Sequence, residues 1–209
     1  MAKVDKTIQA YNKVAKQYNR SHYSADFWRN EFNLFTSFLQ GKRVLDVGCG
    51  AGRDAVLFSR EGFDYIGIDA SIGMLAVART RVKKARFIKM NFYDITFPAK
   101  TFDGFWAAAS LLHIPKKRIR FVLKQLRRII RRGGVGFVVV KAKRNIADGV
   151  IKEDKYGGIE RYFAFYTPTE LTNLLEKVGF VILRWHQRSE LGKKVTKWLC
   201  FFVQRAPLQ

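Results

Sequence analysis

Across residues 1–40, apolar side chains recur at helical spacing: Val4, Ile8, Tyr11, Val14 or Ala15, and Tyr18 on one stripe, then Phe27, Trp28, Phe32, Phe35, Phe38 and Leu39 on an aromatic-rich second. That period predicts two amphipathic helices, with the polar stretch 19–24 as the loop between them. Taken singly, Tyr11 and Tyr18 read first as core residues. From Gly41 the pattern changes to short apolar runs alternating with helical stretches. Strands are predicted at 43–47, 63–68 (ending at Asp69), 85–90, 104–107 and 135–141. Helices are predicted at about 54–60, around Met74, Leu75, Val77 and Ala78, and from Pro115 to Arg132, with Gly133-Gly134 as the stop. Repeated strand-helix-strand units with unbroken apolar strands imply a parallel sheet covered on both faces.

Residues 142–166 break this alternation. They are polar and glycine-containing, then aromatic, which suits a lid or substrate-facing insertion better than a core element. A helix follows from Thr167–Thr169, with Pro168 and Glu170 as start signals, to Gly179. Two strand-like runs, 180–185 and 197–203, are joined by a polar segment containing Gly192 and read as an antiparallel hairpin closing the sheet. The expected organisation is one domain over 1–209: an N-terminal helical lid (1–40), a core (41–141), the insertion (142–166) and a C-terminal helix and hairpin (167–209).

Composition adds two constraints. The 48% hydrophobic content argues for a packed core, and two cysteines, Cys49 and Cys200, form neither a disulfide framework nor a paired-cysteine metal site. No cluster of His, Cys and acid is visible along the chain, so no metal is expected. The N-terminal stretch lacks the apolar core of a secretion signal, and the longest apolar run, 105–114, is short and interrupted by Ser110 and His113, so a soluble cytoplasmic protein is expected. Charge changes the picture more: 39 Lys+Arg stand against 17 Asp+Glu, a net +22. Residues 79–89 carry six of these cations, and 116–144 carry twelve without an acid. Each Lys or Arg alone reads as a solvated helix face; together they favour RNA or another polyanion as a partner.

The chemistry gathers at 44–54, VLDVGCGAGRD, where an apolar strand enters a turn with glycine at 48, 50 and 52 and then opens a helix. Such a turn lets backbone N–H groups approach a ligand, and the helix start adds partial positive charge. Asp69 stands about 20 residues beyond it at the end of strand two, where a carboxylate accepts both hydroxyls of a ribose. The third glycine comes one residue too early for a dinucleotide fingerprint, and Asp46 at the mouth is unsuited to a pyrophosphate but suits a positively charged ligand end.

With YIGIDASIGML at 65–75, FDGFWAAASLLHIP at 102–115, RRGG at 131–134 and RYFAFYTPTEL at 161–171, the chain from about Tyr11 to Arg205 resembles the class I S-adenosylmethionine-dependent methyltransferases, in wording closest to the ubiquinone/menaquinone-type group. The resemblance implies a Rossmann-like α/β sheet of seven strands with helices on both faces and an antiparallel final strand. It implies that Asp46, Gly48 and Gly50 hold the methionine end with Arg53 near its carboxylate, that Asp69 binds the ribose, and that Ala70 and Met74 line the adenine pocket. Asn91 and Phe92 fall at the adenine edge, with Asn91 where such sequences usually have Asp, and Ala108 meets the methionine moiety from strand four. The donor being already activated, alignment and exclusion of water are the protein's main tasks. His113 is the candidate general base, against a purely local hydrogen-bonding role; Tyr11, Tyr18, Arg161, Tyr162 and Tyr166 are candidate acceptor or lid contacts. The expected activity is methyl transfer to RNA or a polyanion-associated acceptor. The alternatives are a small-molecule acceptor, or a noncatalytic basic nucleic-acid-binding module that keeps the fold.

Overall fold

The computed structural model describes residues 2–190 and 195–206, side chains from Lys6 onward and excluding 155; Gly192 and the side chain of Val4 lie outside this range. Helix α1 (Ala2–Ser21) carries Val14 and Ala15 on its buried stripe, and α2 (Arg29–Phe38) buries Phe32 and Phe35 beside Trp28 of the preceding 3-10 turn. The loop expected at 19–24 shrinks to 22–24 because tertiary contacts hold the last helical turn: Asn19 Oδ1 accepts Arg81 Nη1–H at 2.8 Å.

The strands β1 (Arg43–Val47), β2 (Asp64–Asp69), β3 (Arg86–Lys89), β4 (Phe102–Ala108) and β5 (Ile130–Lys141) are mutually parallel. Between them lie α3 (Ala55–Arg60), α4 (Ile72–Arg81) and α5 (Lys116–Ile129). After α6 (Pro168–Val178) come β8 (Phe180–Glu190) and β9 (Thr196–Arg205); the sheet order is β3-β2-β1-β4-β5-β9-β8, so β9 inserts antiparallel between β5 and β8. The strands reverse their order of addition beside β1, and the crevice outside the carboxyl ends of β1 and β4 is where an open α/β sheet accepts a ligand.

Three elements differ from the sequence expectation for identifiable reasons. Helix α5 ends at Ile129 rather than at the glycine pair, because Arg205, 75 or more residues away, donates to the carbonyls of Arg127, Arg128 and Ile130 and caps it. Gly133, at φ +72°, then sits inside β5 as a bulge rather than stopping a helix. Residues 142–166 are not all lid: Gly149–Glu153 (β6) and Ile159–Phe163 (β7) form an antiparallel pair, but Phe163 to Tyr166 are buried in the core. Aromatic content there reflects packing, as Ala164 N–H donates to Leu112 O at 2.8 Å and Lys143 N–H to Tyr166 O at 2.7 Å.

The core is dominated by rings. Trp106 of β4 stacks on Phe137 of β5 with centroids 4.1 Å apart, and Phe32, Phe35 and Phe58 meet it edge-on. Edge-to-face and offset pairs of this kind add roughly 0.5–1.5 kcal/mol each beyond their burial. They fix α2 and α3 on one face of the sheet, and with them the loop between β1 and α3.

Candidate active site

The floor of the crevice is built from two turns. Gly48, Gly50 and Gly52 all have positive φ, and a Cβ on Gly48 would stand 2.4 Å from Ser110 Cβ, so that position admits no side chain. Beyond Gly50, by contrast, a Cβ would meet nothing within 4 Å: its side faces open cleft, and its N–H donates to Asp69 Oδ2 at 2.9 Å. Asp69 Oδ1 accepts Ser71 N–H at 2.8 Å. Burial pushes the Asp69 carboxyl up, and these N–H groups pull it partly back. Ser71 caps α4 by accepting Met74 N–H at 3.1 Å, which turns Ala70 and Met74 toward the cleft.

At the other end, Asp46 is buried, accepts the Tyr65 hydroxyl at 2.7 Å, and is pushed well above the usual carboxylate range by burial and by the neighbouring Asp54 carboxylate. Asp54 holds Arg53 through both carboxylate oxygens, Nε–Oδ1 at 2.6 Å and Nη2–Oδ2 at 3.0 Å, and takes the Trp106 indole N–H at 2.9 Å. The Arg53 guanidinium lies 5.3 Å over Phe27. Two buried carboxylates with one arginine between them favour a further positive charge from a ligand. All ten residues assigned to the cofactor from sequence, Asp46, Gly48, Gly50, Arg53, Asp69, Ala70, Met74, Asn91, Phe92 and Ala108, line this one cleft. Its empty space, counted out through the mouth, is about 970 Å³. Asn91 Oδ1 also accepts Tyr93 N–H at 3.1 Å, which sets the turn after β3.

The roof comes from α1 and β7. Asn12 Oδ1 accepts both Ser71 Oγ–H (2.8 Å) and Gly73 N–H (2.9 Å), pinning α1 to the start of α4, and Thr7 Oγ1 accepts Tyr162 N–H at 2.9 Å. Tyr11, Tyr18 and His113 line the cleft, with Thr7, Asn19 and His22. His113 sits in a 3-10 turn after β4, and its Nδ1 lies 2.7 Å from the Tyr162 carbonyl, 49 residues on. A carbonyl only accepts, so Nδ1 carries the proton and Nε2, 2.8 Å from the Tyr11 hydroxyl, accepts. Arg161 Nη1 donates to the same hydroxyl oxygen at 2.6 Å. Burial, with Arg161 and Lys141 nearby, lowers His113 to about 3, so the imidazole is neutral. Burial raises Tyr11, which stays a phenol. The contact made by His113 is long-range, not local.

The remaining acceptor candidates divide. Arg161 acts through Tyr11 rather than lining the cleft, and Tyr162 contributes its carbonyl. Tyr166 is a correction: it is 1% exposed, packs under Lys116 Nζ at 4.8 Å, and does not reach the cleft. Sequence reasoning missed Asp54, Asn12, Thr7 and Ser110. Only Asp54, adjacent to the glycine loop, left a local signal. It also missed Glu31, His186 and Cys200, whose ligand atoms lie within 4.8 Å of one another on α2, β8 and β9. Arg188 Nη1 stands 3.0 Å from Glu31 Oε2 and already supplies its counter-charge.

Comparison with known proteins agrees with this geometry. A model of the methyltransferase domain matches residues 44–134. The demethylmenaquinone methyltransferase of Symbiobacterium thermophilum is 32% identical over 154 residues, 65% of this chain and 59% of that protein. Methyltransferase GfsG of Streptomyces halstedii is 28% identical over 72% of this chain and 56% of its own. The chain thus spans little more than half the length of these relatives. The 1,6-didemethyltoxoflavin-N1-methyltransferase of Burkholderia thailandensis, solved with 1,6-didemethyltoxoflavin and S-adenosylhomocysteine, superposes with a TM-score of 0.78 at 16% identity, over 97% of this chain and 88% of that one. This is the class I methyltransferase fold. The methyltransferase sheet explains why the glycine turn and Asp69 face one another: β1 and β2 are neighbours in register, Val47 beside Ile68.

The basic surface of the chain is less free than its composition suggests. Arg127 and Arg128, expected on the exposed side of α5, are half-buried: Arg127 Nε donates to Gly179 O (3.1 Å) and Arg128 to the carbonyls of Ile95 (2.7 Å) and Phe97 (2.8 Å). Arg131 pairs with Asp103 at 2.8 Å, Arg118 stacks 3.7 Å over Tyr93, and Arg79 donates to Phe87 O at 3.1 Å. Lys83, Lys84, Lys117, Arg120 and Lys124 remain exposed without an ion-pair or hydrogen-bond partner among the described residues. No helix among the described residues is long and apolar enough to cross a membrane.

Proposed function

We propose that the chain is an S-adenosylmethionine-dependent methyltransferase acting on a small acceptor held under α1. What carries this reading is one cleft in which a glycine turn, a ribose-type carboxylate and a buried pair of carboxylates occupy the floor, while Tyr11, Tyr18 and His113 occupy the roof. The bound cofactor supplies an activated methyl group on a sulfonium. The chain's part is to hold it: Asp69 takes the ribose hydroxyls, Asp46 and the Asp54-oriented Arg53 take the ammonium and carboxylate of the methionine end, and Asn91 and Phe92 meet the adenine. The roof then aligns the acceptor and excludes water. The aromatic lining and the α1 cover suit a small planar molecule, and the Burkholderia protein holds 1,6-didemethyltoxoflavin.

The charge of +22 favours a second reading, an RNA acceptor steered by the 79–89 and 116–144 faces. It is the weaker of the two, since several of those cations are engaged within the fold. Calorimetry with S-adenosylmethionine tests the cofactor, and absence of binding overturns both readings in favour of a noncatalytic basic module. Incubation with methyl-labelled cofactor, followed by separation of RNA, protein and small molecules from an extract, tests the acceptor: label in the small-molecule fraction is expected, and label confined to RNA favours the second reading.

A further inference from the structure

Most of the groups lining the cleft that could take a proton are already committed within the fold. His113 Nδ1–H is committed to the Tyr162 carbonyl, and Nε2 already accepts the Tyr11 hydroxyl. Making that imidazole cationic would set it beside two existing cations: Arg161, which donates to the Tyr11 oxygen, and Lys141, whose ammonium lies 4.1 Å from the Phe163 ring that packs 4.9 Å from His113. Glu153, the nearest acid to Arg161, is spent in an ion pair with it. On the floor, Asp54 is saturated by Arg53 and Trp106, while Asp46 and Asp69 face the cofactor end. His22 is the remaining candidate base lining the cleft. Its Nδ1 lies 3.1 Å from the Tyr18 carbonyl and from Ser21 Oγ, and 3.2 Å from the Tyr156 hydroxyl.

Tyr11 shows what the roof offers instead. Its oxygen accepts from Arg161, so the hydroxyl is polarised as a donor with one proton to give. In this structure that proton goes to a neutral imidazole nitrogen. An anionic oxygen competes for it more strongly, because a charge-assisted hydrogen bond is roughly twice as strong as a neutral one. Arg161 itself is 5% exposed, ringed by Tyr11, Tyr156 and Phe163 at 4.9, 5.4 and 5.3 Å, and its Nε has no hydrogen-bond partner among the described residues. Glu153 compensates the guanidinium at Nη2, while Nη1 donates to the Tyr11 oxygen, so the positive end of the pair is presented to the cleft through Tyr11.

We propose that the acceptor is a small acid already ionised at neutral pH, a phenol, enol or carboxylate of low pKa, and that ordinary alcohols are not methylated. The proposal rests on the reading of this cleft as a methyl-transfer site. The acceptor's anionic lone pair forms the bond to the methyl carbon, the carbon–sulfur bond breaks with its electrons left on sulfur, and the sulfonium becomes a thioether. Anion and cation become two neutral groups, and no proton moves. Tyr11 orients the anion and Arg161 acts as a positioning residue behind it.

The test separates the two layers. S-adenosylhomocysteine binding is measured first by calorimetry, and its absence removes the cofactor reading whatever follows. 4-Nitrophenol, whose anion absorbs in the visible, is then titrated with pH in the presence and absence of S-adenosylhomocysteine. Bound phenol is expected to ionise at least one pH unit below free phenol, about a tenfold preference for the anion. Arg161→Gln should return the midpoint toward that of free phenol, and Arg161→Lys, which keeps the charge, should retain part of the shift. With labelled S-adenosylmethionine and a series of phenols of graded acidity, the midpoint of kcat/KM against pH should move with the acceptor. The proposal is overturned by an unshifted or raised midpoint, by no binding at millimolar 4-nitrophenol, by equal turnover of unactivated alcohols, or by a fixed midpoint that His22→Gln or His113→Gln removes.

Discussion

The floor and roof of the cleft are built in different ways. On the floor, the groups that face the ligand come from 46–54 and 69–74 and are set largely by backbone: positive-φ glycines, N–H donors to Asp69, and the Ser71 cap. On the roof, the decisive contacts are made by side chains to distant parts of the chain: Tyr11 to His113 across 102 positions, Arg161 to Tyr11 across 150, and His113 to the Tyr162 carbonyl across 49. A backbone-built site tolerates drift elsewhere in the chain and serves an invariant ligand. A side-chain-built site can be retuned by single substitutions, which suits the half of a reaction that differs between relatives.

Substitutions on the two sides should therefore fail in different ways. The largest effect is expected on the floor from Asp54→Ala, which strands the half-buried Arg53 guanidinium and leaves the Trp106 indole N–H unpaired; loss of one partner of a buried pair costs about 3–5 kcal/mol. Chemical denaturation should register that loss, and a change under 1 kcal/mol would mean that Arg53 finds solvent. Asp69→Ala should leave the fold intact while weakening S-adenosylhomocysteine by about a hundredfold or more, since two hydrogen bonds to a charged group are lost at about 1.5–3 kcal/mol each. Normal affinity in that variant would sink the ribose assignment.

On the roof, His113 gives a pH signature. Its folded pKa of about 3 lies below the ordinary 6.5, so below pH 6.5 the unfolded chain takes up a proton that the folded chain refuses. Its contribution is complete above pH 6.5 and is lost as pH falls, approaching about 1.4 kcal/mol per pH unit. Asp46 and Asp69, both raised, work in the opposite sense, so the informative quantity is the difference between wild type and His113→Gln measured from pH 7.5 to 4.5. Parallel curves would show that the ring is solvated. Tyr11→Phe is smaller: acceptor turnover should fall about tenfold, the value of one hydrogen bond to a charged group, with cofactor affinity changed less than about threefold. An equal loss in both would erase the distinction between floor and roof. Smallest of all, Lys117→Glu, Arg120→Glu and Lys124→Glu together should leave turnover of a small acceptor unchanged. If RNA is the acceptor, the same triple variant should instead flatten the salt dependence of RNA binding by about two log units per log unit of salt.

How far the fold was legible follows the same division. The strands of the parallel sheet were readable as short, largely apolar runs, and β9 for the same reason, whereas β8 continues past the expected 185 to Glu190 through polar residues that no apolar pattern marks. The end of α5 was not readable, because its cap is Arg205, and nothing near Ile129 announces it. The aromatic run at 162–166 was ambiguous in principle: buried packing and ligand contact ask for the same side chains, and only the fold sends Tyr166 inward. Charge misled most. Composition counts each arginine once, whereas Arg127, Arg128 and Arg205 serve as caps for backbone carbonyls.

By itself the sequence determined the sheet, the glycine turn and the two carboxylates, Asp46 and Asp69, that suit a nucleoside ligand with a positive end. It could do so because those features are local: a period, a spacing, and a φ that only glycine adopts at low cost. Tertiary structure alone decided that the Trp106 indole pins Asp54 as it holds Arg53, that Tyr11 is a polarised donor, and that His113 is held neutral with both nitrogens engaged. Those properties depend on burial and on partners brought from the far end of the chain, and neither is written in the neighbouring residues.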